Sequence, residues 1–265
     1  MRILDWETVV EGRDSIRGPV ALTIGVFDGV HRGHRSLIEM VQAFRELTTP
    51  AVLTFRANPA RRLQPQTYHG DLQTLPQRLA KLQSLGVGSV ILVEFDERFR
   101  RMRAEEFLDR LRGAVDLRYL AIGRNFRCGR EMQMTARDVR RYLEPLGVRV
   151  DIATPVVDNE RKIPVSSTVI RRAVLGGELE RVRHLLGSDF EVDVADAPLE
   201  QNNIDCRLHK RDCSQVLPRS GIFEVELQSN GISTRDCLTA TESYIRWTQN
   251  CKTTNRVRFV RQLRS

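Results

Sequence analysis

The chain has 265 residues, 41% of them hydrophobic, which suits one α/β domain of ordinary size followed by a small one. Its formal net charge of +8 is spread along the chain, its lysines are only Lys81, Lys162, Lys210 and Lys252, and aromatic residues make up 6%. Dispersed charge without a stacking platform argues against nucleic acid as the partner and fits an acidic, phosphorylated small ligand.

Residues 1–11 carry Asp5, Glu7 and Glu11 where a signal peptide would have an apolar core, and no apolar run reaches the length of a membrane span. The expectation is a soluble cytoplasmic protein with no membrane partner. Next comes a strand-type apolar run, residues 20–26, followed by Gly25-Val26-Phe27-Asp28-Gly29-Val30-His31-Arg32-Gly33-His34. Leu37, Ile38, Val41 and Phe44 then recur at helical spacing. This turn therefore joins a strand to a helix N-terminus, where backbone N–H groups without intrahelical partners and a positive dipole end favour an anion. Gly29 and Gly33 admit a ligand close to the backbone. His31 and His34, three apart, are predicted on one helical face. An ordinary role exists for each histidine, one capping and one solvated, but two of them bracketing a glycine at such a junction point to a phosphate cradle.

Four further strands are predicted at 51–55, 89–95, 117–122 and 148–153, alternating with helices opened at Thr74-Leu75-Pro76, at 104–111 and at 137–146. That rhythm implies a parallel sheet covered on both faces, with ligand-binding loops after Val26, Phe55, Phe95, Ile122 and Ala153. Ser166-Ser167-Thr168 then precedes a short helix ending at Gly176-Gly177, with Arg171 one turn in. A cap needs one hydroxyl; three plus a guanidinium suit a second phosphate contact. Beyond Phe190 the residues 190–194, 221–227 and 256–261 alternate apolar and polar, while 202–214 reads as polar and irregular, so a small antiparallel barrel-like unit is expected. The cysteines, Cys128, Cys206, Cys213, Cys237 and Cys251, show no CxxC spacing; a zinc site is not expected, and a disulfide beyond residue 200 is the lesser reading.

The HxGH string His31-Arg32-Gly33-His34 resembles the motif of the nucleotidylyltransferase superfamily, and the fuller run from Gly25 is similar to the bacterial FAD synthetase family. The Ser166-Ser167-Thr168 to Arg171 stretch looks like that family's second signature. Leu72-Gln73-Thr74 leading into Arg78, then Leu85-Gly86-Val87, Phe95-Asp96, Glu105-Glu106-Phe107 and the segment from Ile122 to Gly129 follow in the family's order. After the second strand only Phe55 and Pro59 of the usual loop remain, and Cys128 replaces an aromatic residue.

The resemblance implies a Rossmann-like nucleotidylyltransferase domain over residues 1–187 and a small antiparallel C-terminal domain over 188–265. It implies transfer of AMP from ATP to FMN, giving FAD and pyrophosphate, with Mg2+ bridging phosphate oxygens and no dedicated protein metal site. His31, His34 and Arg171 would be catalytic; Gly25, Phe27, Gly33, Gly123, Ser167 and Thr168 would join them around ATP; Asn58, Pro59 and Asn125 would meet FMN. Family members commonly add a riboflavin kinase, but residues 195–220 hold no glycine-rich turn running into a GFPTAN-like segment, so a kinase-dead remnant is expected. The alternatives are another HxGH adenylyl- or cytidylyltransferase with a different phosphorylated acceptor, and a non-catalytic flavin or nucleotide binder.

Overall fold

Five largely apolar runs in the first part of the chain have surface to bury, and each becomes a strand of one parallel sheet. A computed structural model describes residues 1–202, 205–248 and 253–264. Its elements run β1 (Arg2–Asp5), α1 (Trp6–Val10), β2 (Pro19–Ile24), α2 (Arg32–Gln42), β3 (Thr49–Phe55), α3 (Pro59–Leu63), α4 (Leu75–Ser84), β4 (Ser89–Val93), α5 (Glu97–Arg101), α6 (Ala104–Ala114) and β5 (Asp116–Gly123). They continue β6 (Arg127–Cys128), β7 (Met134–Thr135), α7 (Ala136–Leu143), β8 (Arg149–Ala153), β9 (Val157–Asp158), β10 (Ile163–Pro164), α8 (Ser167–Leu175) and α9 (Leu179–Leu186). The remaining strands are β11 (Phe190–Asp193), β12 (Glu200–Gln201), β13 (Cys206–His209), β14 (Gly221–Ser229), β15 (Ile232–Ala240), β16 (Tyr244–Trp247) and β17 (Arg256–Arg264).

Contacts divide the chain into two compact units, Met1–Leu63 with Arg78–Pro164, and Gln64–Gln77 with Val165–Ser265. In the first, six parallel strands stand in the order β1-β4-β3-β2-β5-β8. The five predicted strands are all present. The sixth, β1, escaped prediction because only Leu4 of its four residues is buried, too short a signal for any periodicity. Every residue of β4 is buried, as a strand covered on both faces requires. Trp6, Phe99 and Phe107 pack on one another at centroid distances of 5.3–5.9 Å and close one face. On the other, α2 buries Leu37, Ile38 and Val41. The helix stops at Gln42, so Phe44 lies past its end and packs on Tyr119 at 4.2 Å instead of extending the helical stripe. The helix expected over 137–146 ends at Leu143 and continues as a 3-10 turn, Glu144–Leu146, because Pro145 has no N–H to give an α-helix. No helix among the described residues is long and apolar enough to cross a membrane.

The second unit carries an antiparallel half-barrel of seven strands in the order β11-β17-β14-β15-β16-β13-β12. Alternation gives it one apolar face, including Val192, Val257, Phe259, Phe223 and Val225. On its opposite face Glu191, Arg258, Glu226 and Arg235 stand directly opposite one another across four strands. Glu191 to Arg258 is 3.0 Å and Arg258 to Glu226 is 3.2 Å, so unlike charges meet at each step. The stretch 202–214, expected to be irregular, contains β13: Cys206 and Leu208 are fully buried, and its cross-strand partner β16 supplied the order that its polar neighbours hid. Cys206 is disulfide-bonded, in line with the lesser reading above, while Cys128, Cys213 and Cys237 are free thiols; Cys251 lies outside the described residues. Helices α8 and α9 belong to this unit by contact, since Leu179, Val182, Leu185 and Leu186 are buried where α9 meets β11 and β17.

One backbone position tests the first unit's packing. Gly129 has φ +80°, and a Cβ there would lie 2.6 Å from both the Cβ and the N of Ala104 at the start of α6. Gly129→Ala is expected to cost about 1–3 kcal/mol through left-handed strain and overpacking, measured as a lower urea midpoint with unchanged slope.

Candidate functional site

The sheet order places β2 beside β5, with later strands leaving β2 on one side and β8 beyond β5 on the other. Such a switch of direction opens a crevice at the carboxyl ends of the two strands. The loop after β2 is the glycine- and histidine-rich turn, and the loop after β5 begins at Gly123. Both were predicted to matter.

The turn after β2 holds an unusual backbone. Phe27 and Val30 have φ of 55° and 37°, a region that costs a side-chain-bearing residue energy, yet both are fully buried. Three features hold it there. Thr54 Oγ1 and Arg78 Nη1 each donate to the Val26 carbonyl at 2.9 Å. Arg78, 4% exposed, donates also to the carbonyls of Phe55 and Arg56, tying the loops after β2 and β3 together. Gly25 leaves room for the Phe27 ring, since a Cβ there would lie 3.2 Å from Phe27 Cε2. Thr54 and Arg78 were not singled out as site residues; the only signal was the place of Arg78 in the ordered resemblance.

His31 sits just before α2 as its N-cap, not on the helix face, and its Nδ1 accepts from the His34 backbone N–H at 3.3 Å. An accepting Nδ1 puts the proton of the neutral imidazole on Nε2. The two rings stack at a centroid distance of 3.7 Å and an interplanar angle of 17°, and the Phe27 ring centre lies 4.9 Å from that of His34. His34 is thus clamped by contact with two rings. Its Nδ1 is buried with no hydrogen-bond partner among the described residues. Burial first, then the neighbouring His31 and the Arg78 guanidinium, pushes the His34 pKa well below the ordinary imidazole value. A buried polar atom left unsatisfied costs stability.

Asp28, 1% exposed, accepts from Asn58 Nδ2 at 3.5 Å, while Asn58 Oδ1 accepts from the Ala60 backbone N–H at 3.1 Å at the start of α3. Asn58 therefore braces the first loop and caps the short helix that Pro59 begins. Gly123 ends β5 with open space where a Cβ would stand, and Asn125 is exposed in the turn that follows. Beside them, a cavity of about 250 Å³ is lined by Arg124, Arg137, Ile152 and Thr154 among others. The loops after Ile122 and Ala153 had been expected to carry ligand contacts; the contribution of α7 through Arg137 had no sequence signal.

In the second unit Ser166 is the N-cap of α8, its Oγ accepting from the Val169 N–H at 3.3 Å. Capping is thus met one residue before Ser167 and Thr168, which lie in the first helical turn. Arg171 Nε donates to the Gly70 carbonyl at 2.8 Å, and its guanidinium lies 5.7 Å from the Tyr68 ring centre.

The FAD synthetase family model matches residues 14–169. The chain belongs to the FAD synthetase family. It is 33% identical over 178 residues to the bifunctional riboflavin kinase/FMN adenylyltransferase of Escherichia coli K12, covering 64% of this chain and 55% of that protein. The enzyme of the same description from Haemophilus influenzae is 28% identical over 219 residues, covering 78% and 69%. The chain thus spans little more than half of the Escherichia coli relative. A crystal structure titled as a macrolide-efflux protein from Streptococcus pneumoniae superimposes with a TM-score of 0.83 at 22% identity over 100% of this chain and 92% of that one, a likeness of fold. The matched family region ends in α8, so it includes Ser167 and Thr168 and stops short of Arg171.

The depressed His34 pKa sets a pH dependence. The unfolded imidazole takes up its proton near pH 6.5 and the folded one only at lower pH, so stability is complete above about pH 6.5 and is lost as pH falls toward the folded value. The melting temperature is expected to drop between pH 7 and 5, and His34→Gln to flatten that limb by comparison with the parent.

Proposed function

We propose that the chain is an FMN adenylyltransferase, a nucleotidyltransferase that makes FAD and pyrophosphate from FMN and ATP and does not phosphorylate riboflavin. The observation that carries this reading is the clamped His31–His34 pair, with its unsatisfied buried nitrogen, at the N-terminus of α2 in the crevice between β2 and β5. Membership of the FAD synthetase family supplies the reaction class. We assign residues 1–187 as the functional adenylyltransferase domain and 188–265 as its degenerate kinase-like companion.

A terminal phosphate oxygen of FMN attacks the α-phosphorus of ATP; the new P–O bond forms as the bond from the α-phosphorus to the bridging oxygen breaks, and that electron pair leaves with pyrophosphate. The nucleophile is already ionised at neutral pH, so positioning and charge stabilisation carry the catalysis. His31 presents Nε2–H toward the phosphates, and His34 offers the nitrogen that the fold leaves unsatisfied. Gly25, Phe27 and Gly33 shape the turn, and Gly123 leaves the floor open. The cavity lined by Arg124 and Arg137 is assigned to the nucleoside. Ser167, Thr168 and Arg171 are assigned to the ATP phosphates on their signature, and Asn58, Pro59 and Asn125 to the flavin side. Asn58 turns its amide to Asp28 and to the Ala60 N–H, so its effect on flavin is through the shape of the loop.

Among the described residues no three His, Cys, Asp or Glu side chains converge as a cation site. The Mg2+ of this reading is assigned to the nucleotide, where it would neutralise phosphate charge.

Purified chain given FMN, ATP and Mg2+ should yield FAD and pyrophosphate by chromatography, and with riboflavin in place of FMN it should yield no FMN. His34→Ala and Arg171→Ala are each expected to lower turnover about a hundredfold to a thousandfold with the melting profile preserved at neutral pH. Turnover within a few-fold of the parent in both would remove those residues from the chemistry, and FMN appearing from riboflavin would overturn the kinase-dead assignment.

A further inference from the structure

Arg171 takes its orientation from outside its own helix, and the segment that provides it is pinned by a residue of the C-terminal region. The acceptor of its Nε–H is the carbonyl of Gly70, and the ring facing its guanidinium is Tyr68, whose hydroxyl donates to Asp71. These residues belong to 64–77, which packs on residues 214–216. Asp71 N–H donates to the Ser214 carbonyl and Val216 N–H to the Asp71 carbonyl, both at 2.9 Å. The approach is tight: Gly70 has φ +103°, and a Cβ there would lie 2.6 Å from Val216 N.

Gln215 is 3% exposed and spends its amide on backbone alone. Its Nε2 donates to the carbonyls of Leu72 at 3.1 Å and Glu191 at 2.9 Å, and its Oε1 accepts from Asp193 N–H at 2.8 Å. One side chain therefore joins the segment that aims Arg171 to strand β11 of the half-barrel. Leu72, 1% exposed, would suffice to anchor the segment by burial, but only directional bonds fix where the Gly70 carbonyl points.

We propose that the C-terminal half-barrel is kept as a scaffold that positions Arg171, with Gln215 as the positioning residue acting through residues 64–77. The role in turnover rests on the adenylyltransferase reading above. With Nε engaged on Gly70, the terminal guanidinium nitrogens are pre-aimed and free of the search over rotamers that a long side chain otherwise makes. This gives a function to a region whose kinase signatures are missing.

Two readouts on the full-length protein test it. Nitrogen-edited NMR follows the Arg171 Nε–H, identified by its loss in Arg171→Lys; Gln215→Leu should speed its exchange with solvent about tenfold or more as the local bond opens. In FAD synthesis, Gln215→Leu should lower kcat about tenfold to a hundredfold with KM for FMN unchanged, and should cost nothing further when added to Arg171→Ala. Additive losses, or an unchanged Nε–H in a variant with reduced kcat, would show Gln215 to be merely structural and overturn the proposal. Should Gln215→Leu fail to fold, Tyr68→Leu leaves the buried amide cluster intact and must show the same faster exchange and the same non-additivity, or the proposal fails. If the parent makes no FAD, the adenylyltransferase reading falls while the exchange measurement still decides whether Gln215 holds Arg171.

Discussion

The Val26 carbonyl is the pivot of the first unit. Two side chains from elsewhere in the sequence, Thr54 and Arg78, donate to this one oxygen, and Arg78 reaches on to the carbonyls of the neighbouring loop. A turn with two side-chain-bearing residues at positive φ does not persist on local preference; it persists because the surrounding structure over-determines it. Once that turn is set, Phe27 faces inward, His31 caps α2, and His34 packs against both rings. The position of the helix N-terminus, the protonation of His34 and the unsatisfied nitrogen all follow from the same constraint.

A buried guanidinium beside a buried imidazole is a costly pair, since each disfavours the charge of the other. The cost is spread over three carbonyls that accept from Arg78, and the imidazole responds by staying neutral. The α2 dipole and the Arg78 guanidinium share the sign that favours negative charge nearby, and the neutral His34 adds no charge of its own.

The second unit follows another logic. Its sheet has an apolar face that forms a core and an opposite face where unlike charges alternate across four strands, an arrangement that keeps an arginine-rich chain from repelling itself. Helices α8 and α9 and the segment 64–77 are stitched to that sheet by backbone-directed bonds, those of Gln215 among them. The second signature thus lies on a helix that packs on α9, beyond the family match, while its Arg171 is held by Gly70 and Tyr68 within it.

The five inner and flanking strands, the glycine-histidine turn and the hydroxyl-arginine helix were legible in the chain because each is a local pattern: apolar runs, glycines at a strand-helix junction, hydroxyls before a helix. The same locality explains what was hidden. Strand β1 is too short to show a period, and β13 acquires its order from β16; Arg78 and Gln215 are single polar residues whose meaning lies in carbonyls that only folding brings near. Sequence by itself determined the fold class, the family and which histidines and arginine to watch. Tertiary structure alone decided that His31 caps the helix while His34 is clamped and uncharged, and that Arg171 is aimed by a distant segment. Burial, ring stacking and hydrogen-bond direction depend on atoms that are far apart in the chain.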